Sequence, residues 1–566
     1  MHVRESLALA LLLAAVAAAS PGPSLRFGDP IPTWAGDDPA ALDAPSPEAP
    51  SAAVGLKYLL LPLPIGPSHS FVLTKIGHTL AERGGDVLAV VGPLNEKHVV
   101  PPPYGSWATV RVAGAGAMPK LMQRLEKETW RQHWTLLSLG PLLWSVSEEC
   151  DSIVADTAFM ARARSFAPDL IVGDAMDPCA GVLSELLGVA RAEIHVGSAV
   201  VDQVASPWAG TGRNWRIPRS PLTTPAHRFP VPPPLGLAAA LGSALMDGVN
   251  AAVDYATMRP PVAALHKRHG VDLTTPAARG RNSLLLINAD PSWEHTRALP
   301  PGVQYIGGVT AGPGAPLPAD LDAWLKGARG RGQRVLYQAM GSIFRSRPGE
   351  AVPLLAGLAA LPAVAVLAKL APGEATDAEL AALPPNVRVV GWAPQNDLLA
   401  SGHVSLFVTH GGANSIGEAV FHGVPVVVAP AGAEQPDNAV KVAAAGFGVG
   451  IVTHRPAPSA VVAAAGRVLA DLEGYAAAAK TAQARARAGR PPAAAAAAAA
   501  IERVALLGPA ARLPLAGELS GLTAARVVAG GVLVLLALRA LLSRALCAPA
   551  AGRARVAATH ATKKRA

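Results

Sequence analysis

The chain has 566 residues, 51% hydrophobic and only 16% charged, with a formal net charge of +9. That length holds two or three domains with substantial cores. Much of the positive charge lies at the end, where Arg526, Arg539, Arg544, Arg553, Arg555, Lys563, Lys564 and Arg565 follow one another with no acidic residue between them. The basic balance therefore does not argue for a nucleic-acid partner, and no basic run is interleaved with the aromatics that a base-stacking platform needs. The hydrophobic excess is largely alanine, beside 55 Gly and 53 Pro. Tracts such as PAAAAAAAA at Pro492–Ala500 read as compositional bias rather than as a fold signal.

Taken in chain order, residues 1–20 carry Arg4, an apolar run from Leu7 and small residues at Ala17 and Ala19. This is a secretory signal pattern, with a retained N-terminal anchor as the alternative. Residues 21–54 are rich in Pro, Ala, Asp and Ser and predict a disordered linker. Structure is expected from Gly55. LKYLLLPLP reads as a buried strand, Ser70 to Gly84 as a helix and DVLAVVGP as a second strand, a β–α–β opening of a doubly wound sheet. DLIVG, ending at Gly173 before Asp174, is another buried strand, followed by a helix and a short strand around Ile194. Ser206 to Pro234 is a long loop, either near a ligand or a surface excursion. Trp130, Trp134 and Trp144 line an apolar pocket or belong to the core. Of the three cysteines, Cys150, Cys179 and Cys547, none has metal spacing; Cys150 and Cys179 are either a disulfide pair or two buried thiols.

A second alternating series begins at Ser283 with SLLLINAD and continues through VQYIGGV, RVLYQAMGS, AVAVLAKL, VRVVGW, SLFVTH and PVVVAP. The domain boundaries read as 55–279 and 280–470, with a helical return segment and linker over 471–520. The run Val527–Leu538 is too short to span ~30 Å of hydrocarbon alone. Extended over 522–546, it spans if Arg539 and Arg544 snorkel; the alternative is a merely hydrophobic helix on a soluble protein. Residues 547–566 form a basic tail.

The most informative segment is Trp392–Gln435. SLFVTH ends in His410, followed by Gly411-Gly412, Asn414-Ser415 and Glu418, which reads as a strand, a glycine turn and a helix start. A helix N-terminus presents unpaired N–H groups and partial positive charge and so attracts anions. The glycines let backbone approach a pyrophosphate. Asn414 and Ser415 fall where an N-cap is expected and can also donate to phosphate oxygens. Glu418 is placed to accept both hydroxyls of a ribose, and Trp392 to stack on a base.

This 44-residue segment resembles the signature of the UDP-glycosyltransferases, with matches at Trp392, Pro394, Gln395, Leu399, Phe407, Thr409, His410, Gly411, Asn414, Ser415, Glu418, Gly423, Val424, Pro425, Pro430 and Gln435. The resemblance implies that Trp392 and Gln395 hold the nucleoside, His410, Gly412, Asn414 and Ser415 the phosphates and Glu418 the ribose. Where the family has Asp-Gln for sugar hydroxyls this chain has Glu434-Gln435, which leaves the sugar's identity open. Gly341-Ser342 is similar to the family's strand-end Gly-Ser beside the diphosphate. His69 in GPSHSF matches the catalytic base and Asp174 the aspartate that pairs with it; from the residues alone, a cap at Ser68 or Ser70 with His69 a bystander is an equal reading. The implied fold is GT-B: two Rossmann-like α/β domains facing across a cleft, here with a C-terminal hydrophobic anchor helix.

The implied activity is inverting transfer of a hexosyl group from a UDP-sugar to a hydroxyl of a small lipophilic acceptor. No cofactor is expected, the UDP-sugar being a co-substrate. The reaction is expected to be metal-independent. Sterol or ceramide lipids are the alternative acceptors, and a non-catalytic nucleotide-sugar binder is the alternative class. A nicotinamide oxidoreductase is disfavoured because PIGPSHSF lacks Gly-x-Gly-x-x-Gly. Lys563-Lys564 before the final two residues resembles a dilysine retrieval signal. With the signal and anchor patterns it implies a single-pass endoplasmic-reticulum membrane protein with a lumenal body and short cytoplasmic tail. Homo-oligomerisation is left open.

Overall fold

The computed structural model describes residues 55–62, 67–114, 116, 120–121, 136–197, 259–273, 282–294, 302–342, 346, 349–432, 434–453, 455–488 and 490–507. The signal, linker, 206–234 loop, Trp130, Trp134, anchor and tail expectations lie outside these residues. Among the described residues, no helix is long and apolar enough to cross a membrane.

The first sheet contains β1 (Lys57–Leu61), β2 (Asp86–Val91), β3 (Ser106–Arg111), β4 (Leu170–Asp174), β5 (Ala190–His195), β6 (Asn282–Ile287) and β7 (Val303–Tyr305). Their order is β3-β2-β1-β4-β5-β6-β7 and every pairing is parallel. The second sheet contains β8 (Arg334–Ala339), β9 (Val364–Lys369), β10 (Val387–Val390), β11 (Val404–Thr409), β12 (Val426–Val428) and β13 (Gly448–Gly450), ordered β10-β9-β8-β11-β12-β13, again all parallel. Both have the doubly wound order, in which the chain reverses direction between the first and fourth strands of each unit.

The helices are α1 (Pro67–Glu82), α2 (Leu136–Ala155), α3 (Thr157–Phe166), α4 (Pro178–Leu187), α5 (Arg259–His269), α6 (Ala319–Gly330), α7 (Ala351–Ala359), α8 (Asp377–Ala381), α9 (Gln395–Ala400), α10 (Ala413–His422), α11 (Gln435–Ala445), α12 (Pro458–Ala470), α13 (Leu472–Arg487) and α14 (Ala493–Leu507). Central strands such as β1 (KYLLL) and β11 (VSLFVT) are largely apolar runs because helices cover both faces of a parallel sheet. Tyr58, Leu59 and Leu60 of β1 and Leu406, Phe407 and Val408 of β11 are fully buried.

Two expectations change. The boundary at 280 is displaced, because SLLLIN and VQY are the sixth and seventh strands of the first sheet, β6 pairing with β5 from Arg191↔Asn282 to His195↔Ile287. An apolar run has the same pattern whichever sheet it joins; only the pairing assigns it. The alanine tract is also structural. Ala494, Ala497, Ala498 and Ile501 form one buried stripe of α14, packed with Tyr58, Leu60, Leu73 and Ile76 of the first unit. Alanine is a strong helix former and lets a helix approach closely. Arg83 fastens α14 with a two-point contact, Nε to Glu502 Oε1 at 2.7 Å and Nη2 to Oε2 at 2.9 Å.

Cys150 of α2 and Cys179 of α4 are joined as a disulfide, with Cα atoms 5.2 Å apart. Trp144, on α2, is 44% exposed rather than core.

Candidate active site

β1 and β4 are neighbours at the centre of the first sheet, Leu61 standing opposite Gly173. Their carboxyl ends therefore open into one crevice, although they are distant in sequence. The segment after β1 enters α1, which carries His69 in its first turn, and β4 ends at Asp174. His69 Nδ1 lies 2.6 Å from Asp174 Oδ2. Asp174 is fully buried, and its other oxygen accepts from the Met176 N–H at 2.9 Å. With the carboxylate as acceptor, Nδ1 is the donor and Nε2 presents its lone pair. Burial opposes the charged imidazole, but the Asp174 carboxylate beside it, with Glu434 adding to it, raises His69 above its ordinary value.

In the second unit β11 delivers His410, and Gly411, with φ of +87°, turns the chain into α10. The N-cap is Gly412, not Asn414 or Ser415, which lie inside the first turn. The glycines have a further purpose. A Cβ on Gly341 or Gly412 would lie 2.6 or 2.7 Å from His410 Nε2, and one on Gly411 would lie 2.3 Å from Val428 Cγ1. They make room for the imidazole and for β12. Burial, and then the charge of Lys369, depress His410 to about 4, so it is neutral near pH 7.

Asn414 is engaged across the two units. Its side-chain oxygen accepts from Asn288 Nδ2 at 2.7 Å, and its amide donates to the Ser68 carbonyl at 3.3 Å. Gln395 heads α9 and donates from Nε2 to Ser415 Oγ at 3.1 Å and Glu418 Oε2 at 2.8 Å. Burial pushes the Glu418 carboxyl up, and Gln395 and Lys75 oppose that shift. Lys75 of α1 donates to the carbonyls of Thr310 and Ala311 at 3.2 and 3.1 Å. Trp392 is 60% exposed, with Lys369 Nζ 4.7 Å from its ring centroid. Lys369 also donates to the Gly341 carbonyl at 2.9 Å, next to half-buried Ser342.

Glu434 is the N-cap of α11 without a side-chain capping bond. Gln435 is buried and folds back, its oxygen accepting from the Ala431 and Gly432 N–H groups at 2.7 and 3.0 Å.

The predicted residues thus form two groups, His69–Asp174 and the 341–435 set, drawn together through Asn414 and Ser68. The sequence reading missed Lys75, His195, Asn288 and Lys369. The last three stand at or just beyond the carboxyl ends of β5, β6 and β9. The strand-end rule that picks out His410 points to all three.

Residues 261–477 match the family described as "UDP-glucoronosyl and UDP-glucosyl transferase". The chain is 25% identical over 423 residues to human 2-hydroxyacylsphingosine 1-beta-galactosyltransferase, covering 70% of this chain and 71% of that protein. It is 38% identical over 170 residues to human UDP-glucuronosyltransferase 3A2, covering 30% of this chain and 32% of that one. The glycosyltransferase SnogD from Streptomyces nogalater superimposes with a TM-score of 0.53 at 21% identity, covering 80% of this chain and 100% of that one. Os79 from O. sativa, solved with U2F and trichothecene, gives 0.53 at 18% identity, covering 78% and 99%. These likenesses, with two parallel doubly wound sheets, establish the GT-B type of fold, and residues 261–477 carry the match to the UDP-glycosyltransferase family.

Proposed function

We infer that the protein transfers a hexosyl group from a UDP-sugar to a hydroxyl of a small lipophilic acceptor, with inversion and without a metal. The observation that carries this reading is the His69–Asp174 pair at 2.6 Å, one residue from the Ser68 carbonyl that meets Asn414 in the first turn of α10. His69 Nε2 takes the acceptor proton as the acceptor oxygen attacks the anomeric carbon. The bond from that carbon to the phosphate oxygen breaks, and its electron pair leaves with UDP. Asp174 holds the imidazole tautomer and stabilises the imidazolium. The α10 N-terminus and Lys369 stabilise the developing charge on the diphosphate. Attack opposite the leaving group turns an α-linked donor into a β-linked product.

The test is turnover by the full-length protein, in detergent, with a panel of UDP-sugars and lipophilic alcohols. Product configuration is read by proton NMR, and activity is compared before and after chelation. A β product that survives chelation supports the reading; an α product or loss of activity on chelation overturns it.

A membrane-lipid acceptor is the second reading, favoured by the relative named as a 2-hydroxyacylsphingosine galactosyltransferase. The signal, anchor and dilysine patterns support an endoplasmic-reticulum membrane location, testable by carbonate extraction and protease protection of tagged chains.

A further inference from the structure

A cavity opens at the carboxyl ends of β1 and β2, lined by Leu61, Val90, Leu94 and Val112 and by two carboxylates, Glu149 of α2 and Asp177. Its volume is about 50 Å³. A single water needs about 10–15 Å³, so the cavity takes a small head group rather than a whole acceptor. It lies beside the candidate base. The Asp177 N–H donates to the Asp174 carbonyl at 2.9 Å, and Leu61 ends the strand that leads to His69.

Asp177 is 6% exposed. Its Oδ1 accepts from the Cys179 N–H at 2.8 Å and caps α4. Its Oδ2 has no hydrogen-bond partner among the described residues and is left to the cavity. Asn95, also in the lining, is spent: its amide donates to the Pro62 carbonyl at 2.9 Å and its oxygen accepts from the Gly92 N–H at 2.7 Å. Glu149 lies against Gly114, where a Cβ would come 2.5 Å from Oε2. The Cys150–Cys179 disulfide holds α2 to α4 and so keeps both carboxylates on the one cavity.

The charges acting on Asp177 are those of Asp174 and Glu149, both negative. Burial first, and then these charges, push its carboxyl up to about 7, against the Cys179 N–H bond that lowers it. A buried carboxylate is stable only when it is paired and hydrogen-bonded, and a cationic donor supplies both.

We propose that this cavity binds a protonated amine of the acceptor, with Asp177 as an acceptor-specificity residue, so that the preferred acceptor is a lipophilic amino alcohol whose hydroxyl meets His69. This rests on the glycosyl transfer inferred above. The ammonium donates to Asp177 Oδ2 and brings positive charge beside Asp174, Glu149 and Asp177, while Leu61, Val90 and Val112 cover the carbons next to it. A neutral alcohol leaves Asp177 without a partner, and an acidic one adds like charge.

The experiment uses the full-length protein in detergent with acceptors of one carbon skeleton and one primary hydroxyl: a secondary amine, its ether isostere and a carboxylate. Kd is measured by calorimetry, and transfer from the UDP-sugar panel is followed separately. The amine is expected to bind wild type at least about tenfold more tightly than the ether, as a charge-assisted hydrogen bond gives, and the carboxylate more weakly than either. Asp177→Asn keeps the helix cap and is expected to bring the amine-to-ether Kd ratio to within about threefold of one. An ether that binds wild type as tightly as the amine overturns the proposal. So does an Asp177→Asn protein that weakens both equally, as a merely structural role would. Should that variant fail to fold, the wild-type ratio alone decides. Glycosylation of the ether in either case leaves the transfer reading standing. Amine binding of the expected kind with no transfer from any UDP-sugar overturns the transfer reading instead.

Discussion

Asn414 in the first turn of α10 reaches the Ser68 carbonyl at 3.3 Å, next to His69, while its oxygen is held by Asn288 at 2.7 Å. One side chain thereby ties the α10 N-terminus to the helix that carries the candidate base.

Asn414→Ala should lower kcat more than stability. Asn288 keeps its bond to the Val196 carbonyl at 2.9 Å, so the loss of stability should be about 1–2 kcal/mol. Thermal melting checks the first part. The second is checked by a fall in kcat of at least about tenfold, since misplacing a reacting group by a fraction of an ångström is expensive.

The pH dependence follows from the His69–Asp174 pair. His69 must be neutral to take a proton, so kcat/KM should rise with pH through its titration. Asp174 beside it raises that titration above 6.5, so the acidic limb should have its midpoint above 6.5. Asp174→Asn removes the stabilising charge, so the midpoint should move down. The maximal rate should fall by about 10²–10⁴-fold as tautomer control is lost. A pH–rate profile of both proteins tests both statements; an unmoved midpoint would show that Asp174 does not set it.

Gly341→Ala should raise the donor KM by at least about tenfold, because its φ of +84° disfavours a side chain and the new Cβ would press on His410 Nε2 at 2.6 Å. Gly330 at the end of α6 has nothing within 4 Å of where an added methyl would sit, so Gly330→Ala should be neutral or stabilising by up to about 1 kcal/mol. Melting curves and donor titrations of the two variants separate a general glycine effect from the local one.

Arg83→Ala should destabilise the first unit by about 2–4 kcal/mol, because Glu502 is largely buried and would lose its two-point partner. Denaturant unfolding measures this. The donor Kd should be unchanged, since α14 packs on the first sheet.

The order of strands and helices was legible because a buried parallel strand is a short apolar run, and such runs are punctuated by glycine and polar residues at their carboxyl ends. The same punctuation exposed His410, Asp174 and the α10 start. It did not show that Gly341 and Gly412 flank an imidazole, because a glycine's neighbours in space leave no local trace. Asn288, His195 and Lys369 stand at strand ends too. The strand-end rule reaches their positions but not their roles, because a lone polar residue there carries no pattern until its partners are known.

The amino-acid order on its own determined two α/β series, a glycine turn into a helix start and a histidine and aspartate at two strand ends. Local periodicity and backbone chemistry are written in neighbouring residues. Only the tertiary structure decided that β6 and β7 complete the first sheet and that the alanine tract is a packed helix. It also brought His69 within 2.6 Å of Asp174. These depend on which strands pair and which side chains meet across more than a hundred residues, and that is settled by packing a whole core at once.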